Sequence, residues 1–365
     1  MCHLCSIDDS KMKNVDVATE RKTTMAKTNE KSTKKDLKVE ITDAERIIAD
    51  KLRKKIEEIV DEKLSKTAEV KKNKFSYLNC NPNKRNSKKD PKYCYAGWVS
   101  AFHIKLPNGE SMKLDLSQKK DLFLLFVLAV AWSRLGQWEN AACFVTYLRY
   151  MSKNEGKDYD NYKCWAGEGR SEDIKTEILA SYREVIKNFV FDTNPRKRIT
   201  FRGDIFKSIG ILADNWDDKI NIIRELKKAG EKGTYRKFML EMRRIEGLGS
   251  GKKKMMIKIP LILRELRCQG FYSNIPGELC CVPDERVTNV CIGDDGPLYY
   301  KPESIIKFNS ITSKDENVID KLCEASAKIY EMFGDWYDIP LFAYADLSKE
   351  ERDELNREIK KELSK

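Results

Sequence analysis

Histidine is scarce in this sequence, with only His3 and His103 among 365 residues. Few histidines are therefore available for metal binding or acid–base catalysis. Long apolar runs are also missing. The longest, Leu122–Trp132, is shorter than the roughly 18–20 residues that cross a bilayer, and it predicts a buried core helix. No apolar stretch follows the charged N-terminus, so we predict no signal peptide and expect a soluble, cytoplasmic protein.

A disulfide framework is not indicated either, because the 11 cysteines are odd in number and scattered. The C-x-x-C pair Cys2 and Cys5 would need a second pair to bind zinc, and Cys80 and Cys94 are the candidates. The three cysteines within residues 280–291 lack the spacing of an iron–sulfur loop. The sequence therefore predicts no metal and no cofactor.

Positive charge is what the sequence has in excess. Lys and Arg total 69 against 58 for Asp and Glu, a formal net charge of +11. This balance suits a polyanionic partner such as nucleic acid. The alternative is a proteome rich in Lys and Glu, as in thermophiles, where most chains have this composition. A further hypothesis, an RNA-binding or interaction protein, is supported only by this charge.

Composition divides the chain into four segments. Residues 1–41 form a basic tail that we predict to be disordered. Residues 42–93 begin with a capping-box pattern, Thr42 to Glu45, which predicts an amphipathic helix followed by a linker. This helix either packs on its own domain, which we favour, or pairs with a partner helix. Residues 94–347 form the main domain, and residues 348–365 form a charged C-terminal helix.

The main domain is predicted to be mostly α, with a small β-hairpin near its N-terminal side. Ala101–Leu106 and Ser111–Leu116 flank an Asn-Gly step at Asn108, which is typical of a hairpin. From Ser117 on, apolar residues recur at helical spacing. The predicted helices are Asp121–Leu135, Gln137–Met151, Glu172–Phe191, Asp204–Ala213, Asp217–Ala229, Tyr235–Ile245, Lys252–Cys268, Asn317–Phe333 and Ser348–Ser364.

A glycine-rich turn between two predicted helices is the most informative segment. It reads Gly247-Leu248-Gly249-Ser250-Gly251 and is followed at once by Lys252, Lys253 and Lys254. Alternating glycines permit close backbone approach, and the N–H groups at the start of the next helix attract anions. The turn is therefore predicted to bind a DNA phosphate. The alternative is a connector whose lysines are merely solvated.

A second segment, Val282-Pro283-Asp284, places a carboxylate at the predicted start of a helix. Taken alone, Asp284 is best interpreted as a helix N-cap.

Together, Ile245–Lys253 and Val282–Val287 resemble the two motifs of the helix-hairpin-helix DNA glycosylases related to endonuclease III. The spacing of Lys253 and Asp284 is similar to that of the archaeal glycosylases that excise 8-oxoguanine. Residues 132–138 and 329–341 are also similar to that subfamily, and the resemblance covers roughly residues 117–347.

The resemblance implies a glycosylase bundle acting on double-stranded DNA that carries a damaged base, an oxidised purine such as 8-oxoguanine. A lysine attacks the sugar, forming a Schiff base that also permits strand cleavage. Lys253 is the preferred nucleophile, Lys252 is the alternative, and Lys254 would contact phosphate. Asp284 assists the attack. These roles also imply a monomer that associates with the nucleoid.

By the same resemblance, Trp138 would stack on the extruded base and Gln137 would contact its edge. The alternative for Trp138 is ordinary helix packing. Pro260 departs from the pattern and is expected to kink its helix or shift the helix start. The segment Leu341–Asp346 lacks the acidic and tryptophan residues of the archaeal subfamily, and Tyr344 or Asp346 would take their place. The competing hypothesis is a helix-hairpin-helix protein that binds DNA without chemistry.

Overall fold

The structure is a computed structural model that describes residues 39–65, 104–106, 108–112, 114–132, 138–191, 201, 204–216, 258–268, 275–283, 287, 318–345 and 347–365. All of them belong to one compact unit, residues 37–365. The described residues are mostly helical. The α-helices are α1 (Asp43–Ser65), α2 (Lys119–Ala131), α3 (Trp138–Asn154), α4 (Tyr162–Trp165), α5 (Arg170–Ile186), α6 (Ile205–Asp214), α7 (Lys258–Cys268), α8 (Val318–Phe333), α9 (Ile339–Tyr344) and α10 (Lys349–Leu363). Short 3₁₀ turns cover Gly277–Leu279 and Gly334–Trp336.

Helix α2 forms the centre of the core, since every residue from Asp121 to Ala131 is buried. It contacts α3, α6 and α7. This confirms the buried core helix predicted from the apolar run. The predicted end at Leu135 is wrong, because α2 ends at Ala131 and Trp132 is extended, with ψ 153°. None of the described helices is long and apolar enough to cross a membrane.

Three two-residue strands lie beside the helices. Strand β1 (Ile104–Lys105) pairs antiparallel with both β2 (Ser111–Met112) and β3 (Val190–Phe191). Between β1 and β2, Gly109 has φ +82°, a conformation that glycine adopts readily. The helix predicted over Glu172–Phe191 is wrong at its end. It stops at Ile186, and Val190–Phe191 instead pairs with β1, a long-range contact that helical periodicity cannot indicate.

Helix α1 begins with the predicted capping box. The backbone N–H of Thr42 donates to Glu45 Oε2 at 2.6 Å, and the N–H of Glu45 donates to Thr42 Oγ1 at 3.2 Å. Its apolar face, with Ile48, Leu52 and Ile56 buried, packs on α8, α9 and α10. The expected docking of this helix on its own chain is confirmed.

A buried ion pair joins α1 to α8, with Lys328 Nζ 2.7 Å from Glu45 Oε1. The same ammonium donates to the carbonyl oxygen of Glu40 at 3.1 Å. At the other end of the chain, Ser348 caps α10 through its own capping box with Glu351. Helix α10 contacts α1, so the two amphipathic helices at the edges of the described chain pack together.

Candidate active site

Most residues of the predicted site lie outside the described residues. These are Gln137, Gly247, Leu248, Gly249, Ser250, Gly251, Lys252, Lys253, Lys254 and Asp284. The predicted helices Asp217–Ala229 and Tyr235–Ile245 lie outside them too. Trp138 is the first residue of α3. The structure does describe chain segments next to each part of the predicted site, and these segments are joined by buried polar contacts.

The first contact involves Lys258, which is buried in the first turn of α7 as described, five residues after Lys253. Its Nζ donates to the carbonyl oxygens of Val130 at 3.2 Å and Trp132 at 2.9 Å. Carbonyls at a helix C-terminus have no backbone N–H partner, and a cation satisfies them well. Lys258 therefore links α7 to the C-terminal end of α2.

Pro260 lies within α7, two residues after the first described residue of that helix. The predicted shift of the helix start concerns residues that lie outside the described ones.

The second contact is a buried ion pair between α7 and the residue before α9. Arg264 Nη1 lies 2.7 Å from Asp338 Oδ1, and both side chains are buried. Burial opposes the charge of Arg264, but attraction to Asp338 and Glu265 outweighs it, so the pKa of Arg264 is raised above its usual value. Asp338 Oδ1 also accepts a hydrogen bond from the backbone N–H of Val282 at 2.8 Å.

The segment that leads into Asp284 is consequently fixed at two consecutive residues. Besides Val282, the N–H of Cys281 donates to Ser326 Oγ of α8 at 2.9 Å. Residues 281–283 are buried, and Val287 beyond them is helical and buried. Asp284 follows Val282 by two residues, one of which is the conformationally restricted Pro283. The direction of the chain at Pro283 is therefore set by α8 and Asp338.

Tyr337, which directly precedes Asp338, has an unusual backbone conformation. Its φ is +54°, in the left-handed region, which costs a non-glycine residue roughly 1–3 kcal/mol. The Tyr337 hydroxyl accepts a hydrogen bond from Arg267 Nε at 3.1 Å, and the Arg264 guanidinium lies 5.6 Å from the ring centroid. Arg267 also donates to the carbonyl oxygen of Ile275 at 2.9 Å. Two arginines of α7 thus compensate an unfavourable backbone conformation.

A second group of charges, which includes the buried carboxylates of Asp121 and Asp160, lies at the opposite, N-terminal end of α2. Arg149 forms ion pairs with both Asp121 and Asp160, and Lys120 lies 3.1 Å from Asp160. The backbone N–H of Asp115 also donates to Asp121 Oδ2 at 2.6 Å. Each buried carboxylate has a cationic partner, so this group joins α2 to α3 and the 158–160 loop.

One predicted base contact lies in the core. Tyr344 is buried in α9, and its hydroxyl donates to Asn356 Oδ1 of α10 at 3.1 Å. Asp346, the other candidate of that segment, lies outside the described residues.

Sequence reasoning missed Lys258, Arg264 and Asp338. The signal for the first two was present, since they interrupt the apolar face of a helix that reads KIPLILRELRC. Charged residues at core positions are rarely buried without a partner. The partner residues lie up to 128 positions away along the chain, so their identity could not be inferred from spacing.

The described residues contain no group of three or more His, Cys, Asp or Glu side chains that could hold a metal ion. Comparison of the chain with protein-family models, curated proteins and solved structures finds no match.

Proposed function

We propose that this protein is a helix-hairpin-helix DNA glycosylase with AP lyase activity that excises an oxidised purine from double-stranded DNA. The observation that carries the proposal is the double attachment of α7. This helix follows the glycine-rich hairpin in sequence, and its buried cations bond to the segment before Trp138 and, through Asp338, to the segment before Asp284. Two described segments that lie far apart in the chain, one before Trp138 and one before Asp284, are thus bonded to the helix that follows the hairpin in sequence.

The proposed chemistry begins with the Lys253 amine. A lysine has an ordinary pKa of about 10.4, so its neutral form must be favoured, and repulsion from Lys252 and Lys254, its neighbours in the sequence, would act in that direction. The neutral amine attacks the sugar C1′ while the C1′–N bond to the damaged base breaks. Asp284 stabilises the positive charge that develops on the sugar and orients the transferred proton.

The departing base takes up one amine proton, which leaves the lysine nitrogen bonded to C1′ of the closed sugar. The C1′–O4′ bond then breaks, the second amine proton passes to O4′, and the lysine is joined to the opened sugar as a Schiff base. Loss of a C2′ proton then breaks the C3′–O bond by β-elimination, and hydrolysis of the imine regenerates the lysine. This second step gives the AP lyase activity.

DNA binding is proposed to come from the hairpin, whose glycine N–H groups and Lys254 would contact phosphates. Gln137 and Trp138 would receive the extruded base. The excess of Lys and Arg would add sequence-independent affinity that falls steeply with salt.

The test is borohydride trapping, in which the full chain is incubated with duplexes carrying 8-oxoguanine opposite each of the four bases, or an abasic site. Borohydride reduces the Schiff base to a stable amine, so a covalent protein–DNA complex is expected. The complex should disappear in Lys253→Gln and persist in Lys252→Gln.

Other outcomes separate the alternatives. Loss of the complex in Lys252→Gln alone would move the nucleophile by one residue. If the chain binds these duplexes but no lesion gives a complex, the protein is a non-catalytic DNA-binding helix-hairpin-helix protein. Intact DNA of the same sequence serves as the control for non-specific trapping.

A further inference from the structure

We draw no further inference here: the strongest candidate, the aromatic cluster that Trp216 forms with Phe123, Phe126 and Tyr162 just after α6, in which the buried indole N–H of Trp216 has no hydrogen-bond partner among the described residues, carries nothing, because no feature of the described part of the chain shows what ligand or partner would meet that N–H.

Discussion

The ammonium group of Lys258 lies 2.9 Å from the carbonyl oxygen of Trp132 and completes the C-terminal end of α2. Because Lys258 is only 3% exposed, this bond forms in a region that excludes water. The contact places a cation at the negative end of the α2 dipole, where it is electrostatically favoured. Lys258 therefore contributes to the stability of α2 and to the placement of α7.

Replacement of this lysine by an apolar side chain of similar length should destabilise the protein. Lys258→Met leaves the Val130 and Trp132 carbonyls without this donor, and we expect a loss of about 1–3 kcal/mol in the free energy of unfolding. Urea denaturation followed by circular dichroism measures it. The matched control is Lys153→Met on α3, whose side chain is 54% exposed and which should change stability by less than about 0.5 kcal/mol. Equal effects would contradict the buried role of Lys258.

Gly277 allows the 3₁₀ turn before Cys281 to pack directly on α8. A Cβ at this position would overlap the ring of Tyr330. Gly277→Ala should therefore destabilise the protein by about 1–3 kcal/mol, as overpacking usually does. In a double-mutant cycle, the cost of Gly277→Ala should be smaller when Tyr330 is already replaced by alanine. Additive effects would show that the two residues do not compete for space.

Tyr330 makes stability sensitive to alkaline pH. Burial, followed by repulsion from Asp335, raises the pKa of Tyr330 to about 12. The folded protein thus holds this proton more tightly than the unfolded chain, whose tyrosine pKa is about 10. The stabilisation from Tyr330 is complete below pH 10 and is lost as the pH rises towards 12. Melting temperatures measured from pH 9 to 12 should fall less steeply for Tyr330→Phe. Parallel curves for the two proteins would contradict this assignment.

Cysteine alkylation should follow burial. Desolvation raises the pKa values of Cys143 and Cys280 to about 12, so almost no thiolate forms at pH 8. Cys164 and Cys268 are partly exposed, so reagent can reach them, although burial also raises the pKa of Cys164. Mass spectrometry after brief iodoacetamide treatment should find Cys164 and Cys268 labelled, and Cys143 and Cys280 labelled only in denaturant. Rapid labelling of Cys280 in the folded protein would contradict the burial of the segment before Asp284.

The sequence predicted helices well where an apolar face or an N-terminal cap is enough to define the helix. The capping box at Thr42 and the apolar spacing of Ile48, Leu52 and Ile56 were sufficient for α1. The end of α2 was predicted too late, and the hydrogen bonds that Lys258 donates to the carbonyls there come from a residue far along the chain, which local spacing does not indicate. Strand β3 was predicted as helix, because its partner β1 lies more than 80 residues earlier.

In the candidate site, too, the local sequence patterns could be recognised but the long-range contacts could not. The glycine-rich turn and Asp284 were found from local patterns, and their roles stay predictions. The buried pair of Arg264 and Asp338 could not have been found from sequence, because 74 residues separate its members. Charge inside an apolar helix indicates that a partner exists, but only the fold identifies it.

The burial of α2 on all sides has a consequence for how the molecule opens. A surface helix can fray while the rest of the domain stays folded, but α2 is enclosed by α3, α6 and α7. Its amide hydrogens can reach solvent only when those neighbours separate. Hydrogen exchange at Leu124–Val130 would therefore proceed through global unfolding and report the stability of the whole domain.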